Sequence, residues 1–377
     1  MTIRDSLRRF LPVFGVIEMQ RFALLPLLAA LVLPALAVGQ ITVAGLEQAV
    51  AAAHGRPDKE AAQRLGALEL SQRLSMQRLE RLKARLPGEK ARMALIAVAD
   101  SSAFLDLPAE EIPAIPPLDR AAQDALLAKT VDYVGKTISR LPNIYATRQT
   151  ISFVNGPASS SRFSDGEFFD PKLHLLGKSS ATVSFLAGRE EVVDERKENG
   201  TREVPGRQLA TEGAFATIFA VLPKDVLGNS PAWSHWEQGR GGPMAVFRYD
   251  VPEEKSHYSA RVPGDPGFLQ SITAYHGEIA LDPADGSILR LTLVAVPRAN
   301  SPVAKAEILV EYGPVEIGGK SYICPLRSVA VSLARRFNLW QDVYGMKPKD
   351  GSPLQLQLND VAYTQYHLFR SEMRLLP

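Results

Sequence analysis

At 377 residues, 46% of them hydrophobic and 22% charged, the chain has ordinary globular composition and enough length for two cores. A formal net charge of +2, with no basic stripe and no acidic tail, argues against nucleic acid or a basic partner. The single cysteine, Cys324, excludes an internal disulfide; in the strand-like run SYICPLRSVAVSL it reads as a small buried hydrophobe.

The N-terminal residues carry an address. From Met19 the chain reads MQRFALLPLLAALVLPALAVGQ. Arg21 forms a one-charge n-region, Phe22 to Leu33 an apolar h-region, and Ala35-Leu36-Ala37 a small-x-small cleavage site. The pattern predicts a signal peptide in residues 1–37, with Met19 as the start, because Glu18 interrupts any longer n-region. The run is short for a membrane span and has a proline near its end. No cysteine follows the cleavage site, so no lipobox is present, and the expected location is periplasmic or secreted.

Residues 38–105 are helical in pattern. A short helix, Val43 to Ala53, ends at Gly55. Asp58 is expected to cap the next, which runs through KEAAQRLGALELSQRLSMQRLERLKARL on a stripe of Leu65, Leu68, Leu79, Leu82 and Leu86. Pro87-Gly88 stops it. A third helix from Glu89 carries Met93, Leu95, Ile96 and Val98. These three predict a small antiparallel bundle whose outer arginines, at 73, 78, 81 and 85, face water or a partner. The four prolines of DLPAEEIPAIPPLD then predict a linker over 106–118 and hence two folding units.

Residues 119–377 are predicted to form a sheet domain. Asp119 caps a helix with a seam of Leu127, Val131, Val134, Ile138 and Leu141. From Tyr145 the period becomes two, through TRQTISFV, ATVSFLAGREEVV, MAVFRYDV, HYSARV, YHGEIALDPADGSILRLTLVAV, AKAEILVEYGPVEIGGKSYICPL, RSVAVSL and LNDVAYTQYHLF. Gly318-Gly319 and Asp285-Gly286 mark hairpin turns. Short turns between successive strands predict an antiparallel meander, so the fold class is α+β: a curved open sheet with covering helices behind a small helical domain.

Candidate sites are few. In Tyr275–Val296, Leu289, Leu291 and Leu293 share one face and Ile288, Arg290, Thr292 and Val294 the other. Both faces are partly apolar, so the second is expected to be helix-covered or to form a groove. The helix GAFATIFAVL, with Phe215, Ile218, Phe219 and Leu222 on one stripe, is the expected roof. These seven side chains form the predicted apolar groove. Asp282 and Asp285 suit a turn better than a calcium loop, which needs a bidentate glutamate. His235 and Glu237 in WSHWEQGRGG form a candidate base and orienter, read in preference as a loop anchored by Trp233 and Trp236. Asp165, Glu167 and Asp170 read as a polar turn. The six histidines are scattered, and no metal or cofactor motif is present.

The order of elements from Asp119 resembles the LolA-type fold of periplasmic lipoprotein carriers and of the related envelope-stress regulator. The helix before LPNIYATRQTISF, the pair ATVSFLAGREEVV and the strand–Asp-Pro-x-x-Gly–strand of EIALDPADGSILRLTL carry the resemblance. It implies a helix leading into a strongly curved sheet whose concave side is covered by helices. The whole chain is similar to secreted bacterial proteins with ADSSAFL and LPN segments, a likeness that implies no activity.

The leading expectation is a non-catalytic periplasmic binding or interaction protein whose sheet holds a lipid, an acyl chain or a peptide. An envelope scaffold or regulator that docks a protein through its helical domain, and a hydrolase around His235, are the alternatives.

Overall fold

The structure is a computed structural model that describes residues 40–140, 142–157, 169–186, 189–197, 225–263, 268–299, 301, 303–335 and 354–369. The predicted signal peptide, the roof helix with Phe215, Ile218, Phe219 and Leu222, and the Asp165–Glu167 turn lie outside the described residues.

Four helices come first: α1 (Val43–Ala53), α2 (Asp58–Leu65), α3 (Met76–Lys83) and α4 (Glu89–Ser101). A fifth, α5 (Arg120–Arg140), leads into the strands. The strands are β1 (Ile144–Pro157), β2 (Phe169–Leu186), β3 (Arg189–Lys197), β4 (Ala232–Gln238), β5 (Pro243–Val251), β6 (Ser259–Pro263), β7 (Phe268–Ile272), β8 (Ala274–Leu281), β9 (Ile288–Val296), β10 (Val303–Ile317), β11 (Lys320–Arg335) and β12 (Leu354–Leu368). Ten of them form one open curved antiparallel sheet, ordered β3-β2-β1-β12-β11-β10-β9-β8-β5-β4, and β6-β7 pair separately. The α+β class is thus as the periodicity predicts. The sheet departs from chain order twice: β1 lies beside β12, and β5 pairs with β8, the β6–β7 pair standing apart.

The hairpin turns follow their residues. Gly318 and Gly319 have φ of +60° and +78°, the left-handed pair that a two-residue turn needs, and Ile317 faces Lys320 across it. In the β8–β9 turn the Asp282 carboxylate accepts from Ala284 N and that of Asp285 from Ser287 N, both at 2.8 Å. Those aspartates are engaged by backbone, as a structural turn requires.

The predicted long second helix is two helices. α2 ends at Leu65, and Leu70 bridges to Ile41 instead of continuing it. Gln72 then accepts from Val43 N at 3.2 Å, at the start of α1. Asp58 caps a different helix from the one expected. It is the first residue of α2, and its two carboxylate oxygens accept from Lys90 N (3.0 Å) and Ala91 N (2.8 Å) of α4. Asp58→Ala is therefore expected to cost about 1 kcal/mol through α4, read as a lower urea midpoint, although Asp58 lies 32 residues away from Lys90.

The described helices and sheet make one compact unit, Gly39–Pro377, where the proline pattern predicts two. The reason is α4, whose sequence is apolar on nearly every side. Leu95, Val98 and Ala99 pack with α1, α2 and α3, while Met93, Ile96 and Ala97 pack with Phe153, Leu309, Val329, Val331 and Leu358 of the sheet. The Pro-rich stretch is strapped down as well: Trp236 Nε1 donates to Pro116 O (2.8 Å), and Arg73 N to Asp106 O (2.9 Å).

α5 covers the opposite face, over a core that includes Phe247, Tyr275, Ile279, Leu281 and Val361. Asp119 caps it as predicted, accepting from Ala122 N at 2.8 Å. Its seam is rotated from the expected one. Leu126 and Val134 are buried, Thr130 is fully buried, and Val131 is 55% exposed. The β8–β9 turn explains this. Gly286, at φ +78°, lies so close to Lys129 and Thr130 that a Cβ there would meet the helix backbone at 2.8 Å. The turn therefore dictates which side of α5 faces inward. Ile138 and Leu141 lie outside the described side chains.

Candidate functional site

The sheet face beneath α1–α4 carries a row of alternating charge. The period of two brings Glu237 (β4), Glu278 (β8), Arg290 (β9), Glu311 (β10), Arg327 (β11) and Asp360 (β12) onto it. Glu311 stands opposite Arg290 on one side and Arg327 on the other, the register in which opposite charges attract.

Ion pairs tie the row together and to the helices. Glu237 joins Arg73 Nη2 through Oε2 (2.7 Å) and Arg290 through Oε1. Arg290 Nη2 reaches Glu278 Oε2 at 3.3 Å, and Arg248 links Glu278 (3.2 Å) to Asp106 (2.8 Å). Further along, Arg327 Nε donates to Asp360 at 3.0 Å and its Nη2 to Asp100 of α4. Four guanidinium groups thus meet six carboxylates, Glu237, Glu278, Glu311, Asp100, Asp106 and Asp360.

A cleft of about 640 Å³ opens between the helices and this row. Leu74, Met76, Leu79 and Leu107 line it from the helical side, and Met244, Leu289, Leu309, Ile323 and Leu326 from the sheet side. Arg73, Asp100, Glu237, Arg290, Glu311 and Arg327 also line it. Four buried polar atoms of its lining residues have no hydrogen-bond partner: Arg73 Nε, Asp100 Oδ2, Glu111 Oε1 and Arg290 Nε; Glu111 Oε1 keeps an ion pair with Arg78 Nε at 2.9 Å, which leaves three orphans. Buried polar groups normally find partners, so three orphans in one cleft mark it out.

Electrostatics divide the two ends. Burial pushes the Glu237 carboxyl up, but Arg290, the contact with His235 and Arg73 together outweigh it and hold the group far below the usual range. Glu237 is thus an ionised anchor. At the other end burial raises the Asp100 carboxyl to about 8; Arg327 opposes the rise, and Asp360 and Glu311 add to it. The folded value lies above the unfolded 3.8, so the stability Asp100 contributes is full below 3.8 and is lost as pH rises toward 8. Asp100→Asn is expected to flatten the stability profile between about pH 5 and 7.5 by up to about 1.4 kcal/mol per pH unit, read from urea midpoints.

The predicted site residues separate. Leu291 and Leu293 are buried in the core under α5, 4% and 8% exposed. Leu289 does not share their face. The register shifts between Ala280 and Leu281, so Ile288 faces Leu281 and Leu289 turns to the other side, against Met244, Val246 and Ala280. A bulge inserts one residue and reverses the alternation beyond it. His235 and Glu237 lie on a strand, β4, where a loop was expected. His235 Nε2 is 3.7 Å from Glu237 Oε2, and its Nδ1 is 2.8 Å from Ser234 Oγ. Cys324 is fully buried, and burial pushes its thiol up to about 12, which suits its reading as a hydrophobe.

A second polar cluster sits elsewhere. Buried Asp225 accepts from His257 N (2.7 Å) and Tyr275 Oη (2.9 Å), and its Oδ1 lies 2.5 Å from His257 Nδ1. Its contacts clamp the 256–258 segment to β8.

Sequence reasoning gave no site role to Asp100, Arg290, Glu311 and Arg327, and it read Arg73 as an outer arginine, whereas Arg73 is 7% exposed and paired with Glu237. The signal of the first four is a lone charge inside an apolar run, as in ALIAVAD, ILRLTL, LVEYG and PLRSVAV. Such charges are rarely buried unless paired.

No protein-family model matches the chain, and a search among characterised proteins finds no match.

Proposed function

We propose that this chain is an exported, non-catalytic binding protein that holds an amphipathic small molecule, an acyl chain with a polar end, in the cleft between α3–α4 and the sheet. The observation that carries the reading is the joint presence of apolar walls and three orphaned polar atoms in one cleft of about 640 Å³. That volume is typical of small-molecule sites, which combine apolar lining with a few convergent polar groups. The ligand lies on a different face from the predicted groove over Leu291 and Leu293. Export is supported by the apolar run after Arg21 and by a compact unit that starts at Gly39, just beyond the predicted cleavage site.

Native mass spectrometry of protein purified from the cell envelope tests both halves. The expected result is a chain beginning at Val38 with a bound mass that denaturation releases and that Ala103→Trp, which fills the cleft, abolishes. A retained Met19 refutes export. A ligand-free protein that takes up no acyl-chain compound on incubation refutes the binding role.

A further inference from the structure

We propose that the polar end of the cleft's ligand is a primary ammonium group that docks at Asp100, where α4 meets the sheet; the inference rests on the cleft being a ligand site. Asp100 is 1% exposed. One of its oxygens is held by Arg327, while Oδ2 is buried with no hydrogen-bond partner, in a residue that lines the cleft. Arg327 is not free to compensate it further, because its Nε is already on Asp360 at 3.0 Å. Glu311 stands opposite the same arginine in register and makes no ion pair among the described residues. Asp100 and Asp360 therefore share the Arg327 guanidinium, and Glu311 lies between it and Arg290, in a row where six carboxylates face four guanidinium groups.

An ammonium group answers that surplus. It carries three donors and no acceptor, so it can satisfy Asp100 Oδ2 and reach Glu311 while adding the missing charge. An anionic head group would face the same surplus as repulsion. The other orphans, Arg73 Nε and Arg290 Nε, belong to side chains already paired with Glu237, so they take a neutral acceptor and do not call for a second anion. In the same cleft, Leu309, Leu326 and Leu79 offer the apolar surface along which a chain would lie. The geometry also links binding to protons. An ammonium ion favours the ionised Asp100 carboxylate, with Arg327, Asp360 and Glu311 as the other charged groups that face it, so affinity rises as that carboxyl is deprotonated.

The test is calorimetric titration of the full chain with three probes of equal chain length: decylammonium, decanol and decanoate. Decylammonium is expected to bind roughly tenfold or more tighter than the other two, and to tighten further between about pH 6 and 8.5. Asp100→Asn is expected to bring it to about the affinity of decanol while leaving decanol binding unchanged. Glu311→Gln is expected to remove part of the preference, and it serves as the readout if Asp100→Asn does not fold. Decanoate or decanol binding as tightly as decylammonium overturns the ammonium assignment and leaves the cleft reading intact. Failure of all three probes to bind overturns both.

Discussion

Glu237→Ala is expected to destabilise the protein by about 3–5 kcal/mol, as loss of one partner from a buried ion pair does. The substitution removes the acceptor of two guanidinium groups at once. Arg73 and Arg290 are only 7% and 4% exposed, and each already has an orphaned Nε. Neither can swing into water without opening the contact between α1–α4 and the sheet. Glu237→Gln keeps the shape and two hydrogen-bonding groups, so it should cost less than Glu237→Ala but remain clearly destabilising. The pH dependence follows the depressed carboxyl. Its contribution is present above the unfolded value of 4.5 and is lost as pH falls toward the lower folded value. Urea unfolding of the wild type and both variants at neutral pH and near pH 4 checks the order. Equal midpoints for wild type and Glu237→Ala would show that the row carries no net stabilisation.

Phe153→Ala is expected to cost about 3–5 kcal/mol and to lower the melting of helices and strands together. Phe153 is 2% exposed and lies in the cluster that joins Met93, Ile96 and Ala97 of α4 to Leu309, Val329, Val331 and Leu358 of the sheet. If α1–α4 were an independent unit, the same substitution would loosen the sheet and leave a helical transition at its original temperature. Circular dichroism in the far ultraviolet, followed against tryptophan emission from Trp233 and Trp236 on β4, separates the two cases. Coincident, equally shifted curves are the expected outcome, because the two layers share one core.

The fold class was legible because period-two segments and glycine turns are local signals. β8, β9, β10 and β11 follow the quoted runs nearly residue for residue. What could not be read was how the layers meet. The apolar run of α4 is hydrophobic on both sides because it serves two cores, and on its own it looks like any bundle helix. The prolines of 106–118 do prevent a long helix, yet they say nothing about whether Trp236 will fasten that stretch to β4. On α5 Val134 is the one described seam residue that is fully buried, while Val131 is exposed, since a turn about 150 residues away selects the inner face. The Leu289 side was lost to a bulge, which leaves no mark on the alternation of ILRLTL. The cleft was invisible for a related reason. Arg290, Glu311 and Arg327 converge through strand register, and Asp100 joins them only because α4 packs on the sheet.

The placement of β1 beside β12 bears on how the chain reaches this state. Thr147 and Gln365, which bond across that seam, are 218 residues apart. β1 and β2 can pair early as a hairpin, but β1 stays an open edge until β12 has been made. Closing so long a loop is slow, and an unpaired edge is open to wrong partners meanwhile. The chain should therefore dwell in an incomplete form whose earlier strands are protease-sensitive and ready for a holding chaperone, and it should become resistant in one late step when β12 docks.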